Sequence, residues 1–484
     1  MLGLRIGLLL ALVAPSCALA AELPELSPEL REFVSVDAPV VALIHVRVID
    51  GTGAPPREEQ TLLISGGRIA SIGSEPQVPA GAKVMDLSDY TVIPGLVGMH
   101  DHLFYPAPSS PAPAIGGSLA LYHEMAFSFP RLYLAGGVTT IRTTGSIEPQ
   151  TDLAIKKMID AGKIAGPKIH ATGPYLEGAG SFTPVLHELS GPDDARRTVD
   201  YWADSGATSF KAYMHITRAE LDAAIRAAHR RNLKVTGHLC SIGFREAAAL
   251  GIDDLEHGLL VDTEFVAGKK PDVCPDGAEV RKSLLALDLG GAEASAMIRD
   301  LVAHHVAVTS TLPVFELSVP NRPPLSRRVL DALAPQSQAD YLAARARTAE
   351  RDDGSGAKLL KKEMDFERKF AEAGGLLLAG EDPTGYGGVL AGFGDQRQVE
   401  LLVEVGFTPA EAIRVASWNG ARFLGEEKRI GSLEPGKQAD LVVIHGDPSK
   451  TIADIEKVEF VFKDGIGYDS KKLIESVRGT VGLR

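Results

Sequence analysis

The sequence predicts an α/β protein: a (β/α)8 barrel with a small β-sandwich domain assembled from the N- and C-terminal segments. Three observations carry this prediction. Through the middle of the chain, short apolar runs rich in β-branched residues alternate with amphipathic stretches, the pattern of parallel βα units. The two ends have a different texture, short β runs punctuated by glycine. Four of the 13 histidines fall where barrel strands would end, and a barrel converges those ends on one point. An open doubly wound sheet is the alternative, but no glycine-rich phosphate turn follows a first strand.

The chain opens MLGLRIGLLLALVAPSCALA, with Arg5, an apolar run from Ile6 to Ala14 and a small-residue end Ala18-Leu19-Ala20. Residues 1–20 therefore read as a signal peptide cut after Ala20, and the protein is expected to be exported, periplasmic or secreted. A lipid attached at Cys17 is the alternative, which the nearby Pro15 serves poorly. The apolar run is too short to span a bilayer and no later stretch has the length, so no membrane span is expected. Cys240 and Cys274 remain in the mature chain, and the sequence leaves open whether they pair.

Residues 21–92 contain VVALIHVRVIDG and QTLLISGGRIASIG; residues 426–484 contain GKQADLVVIHGD and VEFVFKDGI. Both read as parts of one discontinuous β domain around a barrel at 93–425. The barrel strands are expected in the run ending at His102, then GVTTIRT, KIHATGP, ATSFKAY, KVTGH, IDDLEHG, VAVTSTL and GLLLAGED. Long departures after His257 and from Pro335 to Ala373 have the size of rims over a site. The 484 residues, 45% hydrophobic and 23% charged, suffice for a large core and a smaller one. The net charge of −13, with no basic cluster, excludes nucleic acid as an expected partner.

The unusual residues gather at strand ends. His100 and His102 are two apart on a strand and share a face, with Asp101 on the other. His238 closes the fifth strand, His257 the sixth and Asp382 the eighth. A lone histidine on an apolar strand is ordinarily a core residue; several at ends that converge point to a metal. Lys211 lies within the apolar strand SFKAYM, where an unpaired ammonium is costly, so it must be neutralised, paired or modified. A carbamate formed with carbon dioxide would make it an anionic bridge between two metals. Tyr213 shares the face of Lys211, Arg142 ends the second strand, and His170 and His187 flank the third βα loop; these four are the candidate substrate contacts.

These residues, with VIPGLVGMHDH, GVTTIRTTG, FKAYMHITRAELDAAIRAAHRRNLKVTGH and the tail FTPAEAIRVASWNGARFLGEEKRIGSLEPGKQADLVV, resemble the metal-dependent amidohydrolases. The resembling branch is related to imidazolonepropionase and includes secreted Xaa-Pro-type dipeptidases, carboxypeptidases and amidases of bulky N-acyl amino acids. The resemblance implies a binuclear site with zinc as the expected metal. His100, His102 and Asp382 would hold one ion, His238 and His257 the other, and carboxylated Lys211 would bridge them. Asp382 would move a proton from the attacking water to the leaving nitrogen. The implied reaction is hydrolysis of an amide or peptide C–N bond in a small substrate, a dipeptide or an N-acyl amino acid, and such barrels often pair. Two positions depart from the pattern: Thr143 follows Arg142 where relatives often carry Asp, and Glu381 precedes Asp382 where a small hydroxyl residue is usual.

A mononuclear cyclic-amide hydrolase or deaminase is the alternative enzyme. A deaminase would place a glutamate shortly after the fifth-strand histidine, and the nearest is Glu246. An inactive secreted binding protein is the alternative of another class, disfavoured because all six candidate ligands are present.

Overall fold

A computed structural model describes residues 25–108, 120–181, 183, 185–383 and 388–482. The expected signal peptide and Cys17 lie outside the described residues. Eight parallel strand positions form the central barrel: Leu96–Asp101, Val138–Thr143, a third position split into Lys168–His170 and Thr172–Leu176, then Ser209–Ala212, Lys234–Gly237, Asp254–Glu256, Ala307–Ser310 and Leu377–Ala379. The registers are parallel throughout, with Arg142 beside His170, Tyr175 beside Lys211, Lys211 beside Thr236 and Glu256 beside Thr309. The ring closes where the Asp382 amide donates to the carbonyl of His100 at 2.9 Å. Gly380 allows that approach, since a β-carbon there would fall 2.4 Å from His100.

Helices cover the strands because their apolar residues recur at helical spacing. Arg218–His229 buries Leu221, Ala224, Ile225 and Ala228, and starts at a capping box in which Thr217 and Glu220 bond each other's backbone. The main core lies between strands and helices, with Phe210, Val235, Phe244, Leu255 and Leu301 buried together. The segment after the sixth strand carries Gly277–Ala286 before the helix Ala292–Ala303, and the segment after the seventh carries Pro335–Glu350 before Ser355–Glu372. These are the two long departures expected from the sequence.

The ends of the chain meet as expected. Nine strands make one hydrogen-bonded sheet in which Leu441–His445 pairs antiparallel with Tyr90–Pro94, placing Val443 opposite Val92. The sheet has its own core of Val41, Leu43, Val46, Leu62, Val92, Leu441, Val443 and Phe462. Cys240 and Cys274, whose pairing the sequence left open, form a disulfide. It ties the loop after the fifth strand to the segment after the sixth. Among the described residues, no helix is long and apolar enough to cross a membrane.

Candidate active site

Six side chains from five strand ends converge at the carboxyl end of the barrel. The His100 ring lies 4.3 Å from that of His257 and 5.3 Å from that of His102, centroid to centroid; His238 lies 4.6 Å from His257. Asp382 stands among them, with one oxygen 3.4 Å from His102 Nε2 and 3.8 Å from His100 Nε2, and the other 3.8 Å from His257 Nδ1. Lys211 Nζ is 3.2 Å from His100 Nε2 and lies 5.3 Å from the Tyr175 ring centroid. Five of the six line a cavity of about 240 Å³, and His100 is fully buried behind them. A larger cavity of about 500 Å³, walled by Arg322, Tyr341 and Phe393 among others, contains none of the six.

Two of these residues hold left-handed backbone, His257 at φ 68° and Asp382 at φ 53°. Neither is glycine, so the fold sustains a local cost that aims both side chains inward.

Burial, with the Lys211 ammonium adding to it, pushes His100 down to about 4; the same two causes push His238 down to about 3. Burial also lowers His102 and His257. Burial works against the charged form of Asp382, but His100, His102 and His257 outweigh it and hold the carboxyl well below its usual range. The site therefore offers neutral imidazoles and an ionised carboxylate, the forms in which these groups ligate metals. Burial pushes Lys211 down to about 8, with Glu256 and Asp382 partly opposing it, which enriches the unprotonated amine. In two of the four histidines the second ring nitrogen is tied as metal-ligating histidines require: His100 Nδ1 to Glu256 at 2.8 Å, and His257 Nδ1 to Thr311 at 2.8 Å. Among the described residues, His100, His257 and Asp382 form one group close enough to hold a metal ion, and Asp101, Glu381 and Asp395 form another.

Three expected substrate contacts are corrected. Arg142 is buried and turned away from the cavity: its guanidinium bonds Asp254 at 3.0 Å, Glu256 at 2.9 Å and the Met99 carbonyl at 2.8 Å. Since Glu256 in turn holds His100, Arg142 is a strut behind the ligand cluster. His170 sits in the first half of the split third strand, near Glu426 at 4.0 Å and remote from the cavity. The strand continues to Leu176, two residues past the expected run KIHATGP, so the end that faces the site lies six residues beyond His170. His187 is exposed and pairs with Asp194 at 3.1 Å. Tyr213 does line the cavity, its ring 5.2 Å from that of His238.

Phe104, Tyr122 and Tyr175 also line the cavity and were not singled out from the sequence. Tyr175 was legible in principle, being in register with Lys211 on the neighbouring strand. Phe104 and Tyr122 belong to the hairpin Phe104–Pro108 and Ala120–Glu124, which no barrel pattern announces. Glu246 is absent from the cavity and pairs with Arg218 at 3.5 Å. Glu381, the unusual neighbour of Asp382, is buried with Asp101 and Asp395 behind the strand. Burial and the two neighbouring acids push its carboxyl well up, toward the uncharged form.

Residues 91–280 and 372–466 match the Amidohydrolase family. A dihydroorotase of Pelotomaculum thermopropionicum is 26% identical over 417 residues, covering 82% of this chain and 86% of that protein. An imidazolonepropionase of Geobacillus kaustophilus is 23% identical over 413 residues, covering 80% and 84%. The fold matches a crystal structure of a Xaa-Pro dipeptidase with bound methionine in the active site, at TM-score 0.66 and 22% identity, over 89% of this chain and 100% of that one. Because the family match spans more than half of the sequence, from the first barrel strand into the C-terminal sheet, the chain belongs to the amidohydrolase family, hydrolases that act on C–N bonds.

Proposed function

We propose that the protein is an exported binuclear hydrolase that cleaves an amide or peptide C–N bond of a small substrate such as a dipeptide or an N-acyl amino acid. The observation that carries this reading is the convergence at one end of the barrel of four neutral imidazoles, an ionised Asp382 and the buried Lys211, pushed down to about 8, with five of the six lining one cavity. His100, His102 and Asp382 would hold one ion and His238 and His257 the other, zinc suiting this nitrogen and oxygen donor set. The Lys211 amine would add carbon dioxide and release a proton, and the carbamate would serve as an anionic ligand to the pair. When bound, such a pair lowers the pKa of water and polarises the scissile carbonyl. Asp382, ionised and held between three imidazoles, accepts the water's proton and delivers it to the leaving nitrogen. The cavity wall of Tyr122, Tyr175 and Tyr213 orients the substrate and restricts water.

A mononuclear cyclic-amide hydrolase is the second reading, favoured by the names of the dihydroorotase and imidazolonepropionase relatives. Glu246 lies outside the cavity, which weighs against the deaminase form. Metal analysis of wild type and Lys211→Ala, with rates on dipeptides and N-acyl amino acids, separates these. We expect about two equivalents in the wild type, fewer in the variant, and a rate at least ~100-fold lower. A single ion that survives the substitution would sink the bridge and favour the second reading.

A further inference from the structure

We propose that the cavity of about 500 Å³ beside the helix Leu312–Glu316 is a second ligand site, separate from the converged residues, that takes an amphipathic monocarboxylate. The acid group sits on Arg345 and an aryl or branched alkyl body on the apolar wall. This goes beyond the reading above and does not depend on it.

The cavity follows from the sequence around it. Pro320, Pro323 and Pro324 lack the amide that a helix needs, so residues 317–326 run as an irregular loop between Leu312–Glu316 and Arg327–Leu330. The loop is fastened to the helix Pro335–Glu350: the Leu325 amide donates to the Tyr341 hydroxyl at 2.9 Å, and Arg345 donates to the carbonyl of Arg322 at 2.9 Å. The hollow left between them has the size of a small-molecule site. Leu317, Val319, Leu325, Val329, Tyr341 and Phe393 give it an apolar wall.

The charged side chains in the wall are Glu316, Arg322, Arg345, Arg397, Glu400 and Glu456. Glu316 holds Arg322 at 2.6 Å and Arg397 at 2.7 Å, Glu400 also pairs with Arg397, and Glu456 pairs with Arg328 at 3.3 Å. Arg345 stands apart. Among the described residues it forms no ion pair and donates only to the carbonyls of Arg322 and Pro323. A guanidinium carries five N–H donors in a planar fork, so Arg345 keeps enough of them to grip both oxygens of a carboxylate. The surrounding aliphatic and aromatic surface favours an acid with an apolar body over a small hydrated one. None of the six converged residues lines this cavity, so a ligand here needs no metal ion.

The test is calorimetric titration of the zinc-loaded protein with 4-phenylbutyrate, 4-phenylbutyramide and acetate. A repeat after chelation tells this cavity apart from carboxylate binding to an ion in the other. 4-Phenylbutyrate is expected to bind at least ~10-fold more tightly than the amide or acetate, before and after chelation alike. Arg345→Gln should erase its advantage over the amide. Ala346→Trp, which sets a large ring on an exposed position of the wall, should weaken both aryl ligands at least ~10-fold and serves if the first variant does not fold. Binding that disappears with the ion, a carboxylate held no more tightly than its amide, or affinities unchanged in the folded variants overturns the proposal. So does a protein that leaves 4-phenylbutyrate unbound.

Discussion

Arg142 is the residue on which support for the site depends most. It compensates two fully buried carboxylates, Asp254 and Glu256, and Glu256 sets the tautomer and direction of His100. Arg142→Met leaves both buried acids without their cation and is expected to cost about 3–5 kcal/mol of stability, read by denaturant unfolding. Metal affinity should fall about 10- to 100-fold, because the ligand His100 loses its fixed orientation. A loss below about 1 kcal/mol with unchanged metal content would show that the strut does not act this way. Five of the six converging residues were legible in the sequence because they close apolar runs, and Lys211 because it is a charge inside one. The misplaced ones fail for a common reason. Arg142 and His170 also follow apolar runs, but the inward or outward sense of a side chain there depends on the exact strand end, which local sequence does not settle.

At the scale of one element, the helix Ser355–Glu372 buries two acids one turn apart, Glu363 and Glu367. Glu363 accepts the amides of Leu259 and Leu260, at 3.1 and 2.8 Å, and so anchors the turn immediately after His257. Burial pushes Glu367 up to about 8, from 4.5 in the unfolded chain. Between those values the folded state holds more protons than the unfolded state, so this group's effect is most favourable at low pH and stability declines as pH rises through the window. Glu367→Gln removes that decline. Urea unfolding should find the variant about 1–3 kcal/mol more stable relative to wild type at pH 8.5 than at pH 5. A difference that does not change with pH would contradict the assignment. The amphipathic pattern identifies this helix, but its buried acids are invisible until the partner turn is in place.

For the whole molecule, the candidate ligands span residues 100 to 382 and come from five barrel strands, so an ion bound there binds only the folded chain. A chelator should lower the thermal midpoint by several degrees, corresponding to about 2.7 kcal/mol at a hundredfold excess of ion over its dissociation constant. A midpoint indifferent to chelation would argue against a resident ion. The expectation of a discontinuous β domain rested on texture alone at two distant ends, and the pairing of Leu441–His445 with Tyr90–Pro94 agrees with it. By itself the sequence determined the alternation of strand and helix and the six candidate ligands, because periodicity and strand-end chemistry are local properties that a chain carries before it folds, and its motifs carried the resemblance to the family. Only the tertiary structure decided the left-handed backbone at His257 and Asp382, the strut of Arg142, the Cys240–Cys274 disulfide and the aromatic walls of the cavity. Each of these depends on segments far apart in sequence arriving at one place, where burial and close contact, and not local propensity, set the energy.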